Sequence, residues 1–178
     1  FYRSHAVHAQ FVGHPLADSI AMTSDPVAAR SALGISGPGQ VVAVLPGSRH
    51  GEVTRLASPY AGAMAALAAR RPGIRFVAPM ASAGARRTFE AALAAMAPGV
   101  AVQLTDGGAQ TALTAADVAL VASGTATLET LLCKRPMVVA YRLGALTTLL
   151  FRTLRLMKAP FFAQPNLLAG RLVVPALF

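Results

Sequence analysis

Five short apolar runs, separated by longer patterns of helical period, constrain the fold of this chain more than any other feature of its sequence. The runs are rich in Val, Ile and Leu, and several of them end at Pro or Gly. Uninterrupted apolar runs of this length are typical of strands buried on both faces, as in a parallel sheet. The runs cover residues 41–45, 74–78, 100–104, 118–122 and 137–141, and the helical patterns cover residues 51–70, 83–96, 110–115 and 124–132.

Strands that alternate with helices predict βαβ units with right-handed crossovers, and hence an α/β fold with a Rossmann-like, doubly wound parallel sheet. Hydrophobic residues make up 54% of the 178 residues, which suffices for a sizeable core. We place this domain at residues 25–158, because Asp25 followed by Pro is a good helix start. Residues 1–24 are then a connector entering the domain, in which residues 11–15 are predicted to form a strand. Residues 159–178 begin a further segment.

The net charge of +9, from 16 Lys and Arg against 7 Asp and Glu, indicates either a solvated basic surface or an anionic partner. Nucleic acid is disfavoured, because aromatic residues for base stacking make up only 6% of the chain and Trp is absent. The single cysteine, Cys133, falls in an apolar helical run, where a buried thiol is expected. The four histidines lack metal-ligand spacing, so we expect no metal site.

The turn after the first predicted strand has the residue types of an anion site. Gly47 allows close backbone approach, and the helix that follows offers free N–H groups and the positive end of its dipole. Ser48 adds a hydroxyl donor, and Arg49 adds a planar fork for phosphate oxygens. A structural turn without ligand is the alternative, and the pattern differs from a P-loop.

A second turn of this kind follows the fourth predicted strand. Ser123 or Thr125 can cap the next helix, and Gly124 lies between them. Glu129, about one turn into that helix, can accept two hydrogen bonds from a sugar diol or can merely complement the helix dipole.

Ligands of doubly wound sheets bind beyond the carboxyl ends of the strands, where both turns lie. Two such turns together predict a nucleotide diphosphate, with phosphate at one turn and ribose at the other. The GxGxxG fingerprint is missing from the sequence, so a nicotinamide or flavin cofactor is not expected. Nearer the chain ends, Asn166 is interpreted as a substrate contact or a helix cap, and His14 as a ligand contact or a structural imidazole.

Apolar side chains recur at helical spacing between residues 143 and 157, with Arg152, Arg155 and Lys158 interspersed. This pattern predicts either a helix that covers the sheet or a basic amphipathic helix at a membrane surface or dimer interface. The repeating apolar positions are Leu143, Leu146, Leu150, Leu154 and Met157.

Taken in this order, these segments resemble the lipid-A-disaccharide synthase family of GT-B glycosyltransferases, in which two Rossmann-like domains face each other across a cleft. The resemblance covers nearly the whole chain. The segments that carry it are residues 11–18, residues 45–49 with Glu52 and Val53, residues 122–129, residues 136–142 and residues 165–171.

The resemblance implies that this chain is the carboxy-terminal, UDP-binding half of such an enzyme. The family joins UDP-diacylglucosamine to diacylglucosamine 1-phosphate and releases UDP, without a cofactor. By resemblance, Ser48 and Arg49 contact the diphosphate and Glu129 holds the ribose. Weaker candidates for the cleft are Tyr141, Arg142 and Asn166.

Further expectations follow from the same resemblance. A full member has an amino-terminal domain before the position of Phe1, and the family's acidic catalytic candidate lies there. We therefore name no catalytic base, and we expect the isolated chain to be inactive. The family implies peripheral attachment to lipids at the cytoplasmic face of the bacterial inner membrane, and leaves homo-oligomerisation open. The alternatives are another UDP-sugar enzyme, such as an epimerase or a peptidoglycan glycosyltransferase, and a noncatalytic basic module that binds membrane or nucleic acid.

Overall fold

The computed structural model describes residues 2–142, 144 and 161–177. Within these residues, parallel strands form one sheet, and helices cover both of its faces. The strands are β1 (Val41–Leu45), β2 (Arg75–Met80), β3 (Val102–Asp106), β4 (Val118–Ala122), β5 (Met137–Ala140) and β6 (Ala176–Leu177). The helices are α1 (Pro15–Ser19), α2 (Pro26–Ala32), α3 (His50–Arg70), α4 (Ala83–Met96), α5 (Ala109–Ala115), α6 (Thr125–Leu132) and α7 (Gln164–Ala169), and a short 3₁₀ helix spans Tyr2–His5.

The strand order in the sheet is β3-β2-β1-β4-β5-β6, and each neighbouring pair is parallel. Successive strands therefore step outward in one direction from β1 and in the other direction from β4. This arrangement confirms the predicted Rossmann-like, doubly wound α/β fold. The order reverses between β1 and β4, so the crevice that such folds use for ligands opens between the loops that follow these two strands.

Two apolar clusters hold the helices to the sheet. On one face, Val42 and Val44 of β1 pack with α3 and α4, and Phe89 of α4 is fully buried there. On the other face, Val41 and Leu45 pack with α5 and with the end of α6. Both faces of β1 are buried, which explains why this strand is an unbroken apolar run rather than an alternating one. Cys133 lies in the second cluster, as predicted, and burial raises the pKa of its thiol.

The predicted strand at residues 11–15 is wrong. Phe11 and Val12 are 90% and 87% exposed, without a partner strand among the described residues, and Pro15 begins α1 instead. A strand needs a neighbour to accept its hydrogen bonds, and this segment runs outside the sheet. His14 precedes α1, and its Nδ1 accepts a hydrogen bond from the backbone N–H of Leu16 at 3.2 Å, which is the structural role.

Smaller differences occur at strand ends. β2 continues through Pro79, although this proline was expected to end the strand. Proline is tolerated there because β1 pairs with β2 only as far as Ala43 with Val77, so β1 needs no N–H group from residue 79. β6 was not predicted, and its two residues pair with Val139 and Ala140 of β5. A two-residue strand carries no recognisable period, so only its partner defines it. The amphipathic pattern at residues 143–157 lies outside the described residues apart from Gly144.

Candidate functional site

The two predicted turns lie side by side at the carboxyl edge of the sheet. Leu45, the last residue of β1, is in register with Val121 of β4, and neighbouring strands lie roughly 5 Å apart. The loop from β1 into α3 and the loop from β4 into α6 therefore leave the sheet next to each other. Both helices point their N-terminal ends, with their partial positive charge, toward this crevice.

The loop after β1 is shaped by a close contact between Gly47 and Glu52. Gly47 has φ of +116°, and a Cβ atom added to it would lie only 2.8 Å from Cβ of Glu52. The predicted need for glycine at this turn thus has a steric cause. The contact lets the side chain of Glu52, which is in the first turn of α3, fold back over the loop.

The carboxylate of Glu52 is bound to the groups that the sequence assigned to phosphate. Its Oε2 accepts hydrogen bonds from the backbone N–H groups of Ser48 and Arg49, at 3.3 Å each. Its Oε1 pairs with Nη1 of Arg49 at 3.2 Å. The side chain of Arg49 is otherwise 85% exposed, and Ser48 is exposed as well.

The sequence indicates Glu52 only as one of the residues that carry the family resemblance, and its contacts with Ser48 and Arg49 were not predicted. A signal for it existed in the sequence. Glu at the third position of a helix commonly reaches back to the backbone N–H of the residue that precedes the helix. Here that residue is Arg49, so this spacing predicts one of the contacts that the structure contains.

The loop after β4 is held by its own backbone and by a distant segment. Gly124 has φ of +141°, and its carbonyl accepts from both the backbone N–H and the hydroxyl of Thr127, at 3.0 and 2.8 Å. Gly124 and Thr125 are exposed toward solvent. Ser123 donates its hydroxyl to the carbonyl of Phe162 at 2.9 Å, so its side chain anchors the segment before α7.

Glu129 lies one turn into α6 and is partly buried. Desolvation by this burial raises the pKa of its carboxyl group. None of the ion pairs among the described residues includes Glu129, so no cation of that part of the chain lies close enough to offset the cost of burying its charge. A half-buried acceptor of this kind is suited to bind hydroxyl donors of a ligand.

The strand β5 brings two further candidates to the same edge. Its last residue, Ala140, is in register with Ala122 of β4, so Tyr141 and Arg142 follow beside the loop after β4. Arg55 of α3, which was not predicted, donates from Nε to the carbonyl of Arg142 at 3.0 Å. This hydrogen bond ties the helix after β1 to the chain after β5. The sequence did not predict this hydrogen bond, because Arg55 and Arg142 are far apart in the chain.

Asn166 differs from these groups because its side chain binds the protein backbone. Its side chain is 1% exposed, and its Oδ1 accepts from the backbone N–H groups of Val173 and Val174 at 2.8 and 2.9 Å. Its Nδ2 donates to the carbonyl of Val174 at 3.0 Å. The amide therefore holds the chain that leads into β6, which is neither of the two roles considered from the sequence, and we leave it out of the proposed site.

The sheet order and the two helix starts at its reversal point define a Rossmann-like domain of the doubly wound class. The chain belongs to the lipid-A-disaccharide synthetase family, which matches it over residues 1–178.

Named relatives agree with this assignment. Lipid-A-disaccharide synthase of Pseudomonas aeruginosa is 51% identical over 99% of this chain and 46% of its own length. The enzymes of that name from Alkalilimnicola ehrlichii and Hahella chejuensis are 53% and 48% identical, over 96% and 99% of this chain and 44% of their own lengths. The chain thus spans a little under half the length of these curated relatives. In the described parts of the chain, no helix combines the length and the apolar character needed to cross a bilayer.

Proposed function

We propose that the protein containing this chain transfers diacylglucosamine from UDP-diacylglucosamine to diacylglucosamine 1-phosphate, forming the lipid A disaccharide and releasing UDP. Family membership and the names of the relatives support this reaction. The chain itself contributes the UDP side of the cleft. The acceptor site and the catalytic base belong to the remaining part of the protein.

The diphosphate of UDP lies at the crevice between the starts of α3 and α6. Ser48 and Arg49 contact it from one loop, while Gly124 and Thr125 contact it from the other. Negative charge grows on the diphosphate as the glycosidic bond breaks, and fixed helix ends stabilise that charge without having to reorganise. Although its guanidinium pairs with Glu52 at 3.2 Å, the side chain of Arg49 is 85% exposed, so it has room to turn toward a ligand.

The observation that carries the proposal is the partial burial of the Glu129 carboxylate without an ion-pair partner among the described residues. Its carboxylate is partly desolvated, has a raised pKa and lies outside the ion pairs of the described residues, one turn from the crevice. Two ribose hydroxyls can donate to its two oxygen atoms, which offsets the desolvation. The cleft is lined and shaped by four residues with smaller contributions to binding: Gly47, Ser123, Tyr141 and Arg142.

The protein also works at a membrane surface, since both of its proposed sugar substrates carry acyl chains. We place it at the cytoplasmic face of the inner membrane as a peripheral protein. The basic and apolar residues between positions 143 and 158 supply the contact with anionic lipid.

Calorimetric titration of the full-length protein with UDP tests the nucleotide site. We expect Glu129→Ala to weaken UDP binding by about tenfold or more, the loss of charge-assisted hydrogen bonds worth ~1.5–3 kcal/mol. The matched control is Glu90→Ala, a glutamate on the surface of α4 that pairs with Arg86. Equal affinity of the Glu129→Ala variant and the unaltered protein for UDP would remove Glu129 from the site.

A further inference from the structure

The loop after β1 already holds an anion of its own. Three donors converge on the carboxylate of Glu52: the backbone N–H groups of Ser48 and Arg49 and the guanidinium of Arg49. These donors come from the two residues proposed to bind the donor diphosphate. An N–H group that donates to Glu52 cannot donate fully to a phosphate oxygen at the same time.

The placement of Glu52 is built into the loop. Its side chain is only 14% exposed, although it carries a charge and lies in the first turn of a helix. It reaches this position because Gly47 lacks a Cβ atom, which would lie 2.8 Å from Cβ and 2.9 Å from Oε2 of Glu52. The contact is therefore a specific arrangement of two residues five positions apart, and not a solvated surface pair.

The three contacts are long for charged groups. They measure 3.2 to 3.3 Å, whereas charge-assisted N–H to oxygen bonds are typically about 2.7–2.9 Å. Because longer contacts are weaker than shorter ones, an anion with more charge can compete with the carboxylate for these donors. A phosphate oxygen is such an anion, while the uridine part of a nucleotide brings no charge to this loop.

From this geometry we propose that Glu52 is a specificity-determining residue of the donor site. Its carboxylate occupies the phosphate-binding donors of Ser48 and Arg49 in the unliganded protein and is displaced by the diphosphate of the sugar donor. Displacing the carboxylate costs free energy, which lowers the affinity for UDP. Uridine has no phosphate and leaves the carboxylate in place, so Glu52 reduces the preference of the site for UDP over uridine. This inference rests on the proposed binding of UDP at the crevice.

Titration of the full-length protein with UDP and with uridine tests the proposal in Glu52→Gln. The substitution keeps the shape and an acceptor oxygen but removes the charge that competes with phosphate. We expect the variant to bind UDP roughly three- to tenfold more tightly and uridine equally well, a difference of ~0.7–1.4 kcal/mol for UDP alone. Glu90→Gln on α4 is the matched control and leaves both affinities unchanged.

A structure of the unaltered full-length protein with UDP supplies a test that does not depend on the variant. We expect phosphate oxygens within hydrogen-bond distance of the N–H groups of Ser48 and Arg49, and the carboxylate of Glu52 turned away. A carboxylate that stays on these two N–H groups beside bound UDP overturns the proposal, as does a Glu52→Gln variant that binds UDP equally or more weakly. Failure of the unaltered protein to bind UDP would instead contradict the proposed function itself.

Discussion

Glu129 and Asn166 are polar residues of short helices, and their surroundings assign them opposite roles. Asn166 is fully buried, and its amide binds backbone groups on both sides. Glu129 is only partly buried, and the ion pairs of the described residues do not include it. A buried group with its bonds made stabilises the fold, whereas a desolvated charge without a partner destabilises it and remains available to a ligand.

The raised pKa of Glu129 predicts a pH-dependent cost in stability. In the folded protein this carboxyl group holds its proton to a higher pH than in the unfolded chain. Between the two pKa values the folded state binds more protons, so stability falls as the pH rises through that window. Glu129→Gln has no charge to desolvate. We therefore expect its melting temperature to exceed that of the unaltered protein at neutral pH, and the difference to vanish below the ordinary pKa of glutamate.

Melting curves of the full-length protein between acid and neutral pH check this expectation, with Glu90→Gln as the exposed control. A Glu129→Gln variant that melts lower at neutral pH would show that the carboxylate has a stabilising partner. The proposed function predicts that the same variant loses UDP affinity, so stability and binding change in opposite directions.

Asn166→Ala separates a structural amide from a ligand contact. The substitution leaves the N–H groups of Val173 and Val174 and the carbonyl of Val174 without their side-chain partner. We expect the free energy of unfolding to fall by about 2–4 kcal/mol, with UDP affinity of the folded protein nearly unchanged. Denaturant titration and calorimetry measure the two quantities. Weaker UDP binding at unchanged stability would return Asn166 to the site.

At the scale of elements, α3 does the most to organise the site. Its first turn carries Glu52 and its second turn carries Arg55, which together fix the loop after β1 and the chain after β5. The same helix buries Val53 and Met64 against the sheet, so the site residues stand on a rigid support. α3 does so although Pro59 lies in its interior.

Pro59 lowers the stability of α3, because it lies in the interior of the helix. Proline lacks the N–H group that would bond to the carbonyl of Arg55, and its ring crowds that carbonyl. Since Pro59 is exposed, replacing it removes no core packing. We expect Pro59→Ala to raise the free energy of unfolding by about 1 kcal/mol, because the regained helix bond outweighs the added freedom of the unfolded chain.

Denaturant titration of the full-length protein measures this change. Pro98→Ala is the matched control, because Pro98 is exposed in the turn between α4 and β3, where no helix bond can be regained. A loss of stability in Pro59→Ala would mean that the proline fits a bend that the helix needs.

For the whole chain, the net charge of +9 fits the proposed anionic membrane surface as well as the proposed anionic substrate. Nucleotide binding needs only a few cations at the crevice. Under the proposed function, the remaining charge attracts the protein to the anionic membrane that holds its lipid-linked substrates. We therefore propose that membrane contact depends on basic residues away from the crevice.

Reversal of the charges at Arg152, Arg155 and Lys158 tests this view. We expect the full-length variant with Glu at all three positions to bind anionic vesicles roughly a hundredfold more weakly, at about 1 kcal/mol for each of the three lost basic residues. Flotation with phosphatidylglycerol-containing vesicles measures binding, and neutral vesicles are the control. Equal binding by both proteins would exclude this segment as the contact.

The fold class and most of the elements followed from local patterns. The five apolar runs, the glycine at position 47 and the helix after Gly124 depend on residues close together in the chain, so period and turn chemistry were enough to predict them. The strand order was not predicted, because the handedness of βαβ units narrows the possible orders without choosing one. The two turns of the candidate site were nevertheless predictable, since parallel strands bring their carboxyl ends to one edge.

Contacts between residues far apart in the chain could be established only in three dimensions. Arg55 reaches the carbonyl of Arg142 across 87 positions, and β6 exists as a strand only because β5 lies beside it. The residue type of Asn166 allowed a substrate contact or a helix cap, and only the structure showed that its amide binds the backbone of Val173 and Val174 instead. The helix-start spacing of Glu52 predicts its bond to the N–H group of Arg49, but its further contacts with Ser48 and with the guanidinium of Arg49 depend on how closely the side chain folds over Gly47, which only packing distances decide.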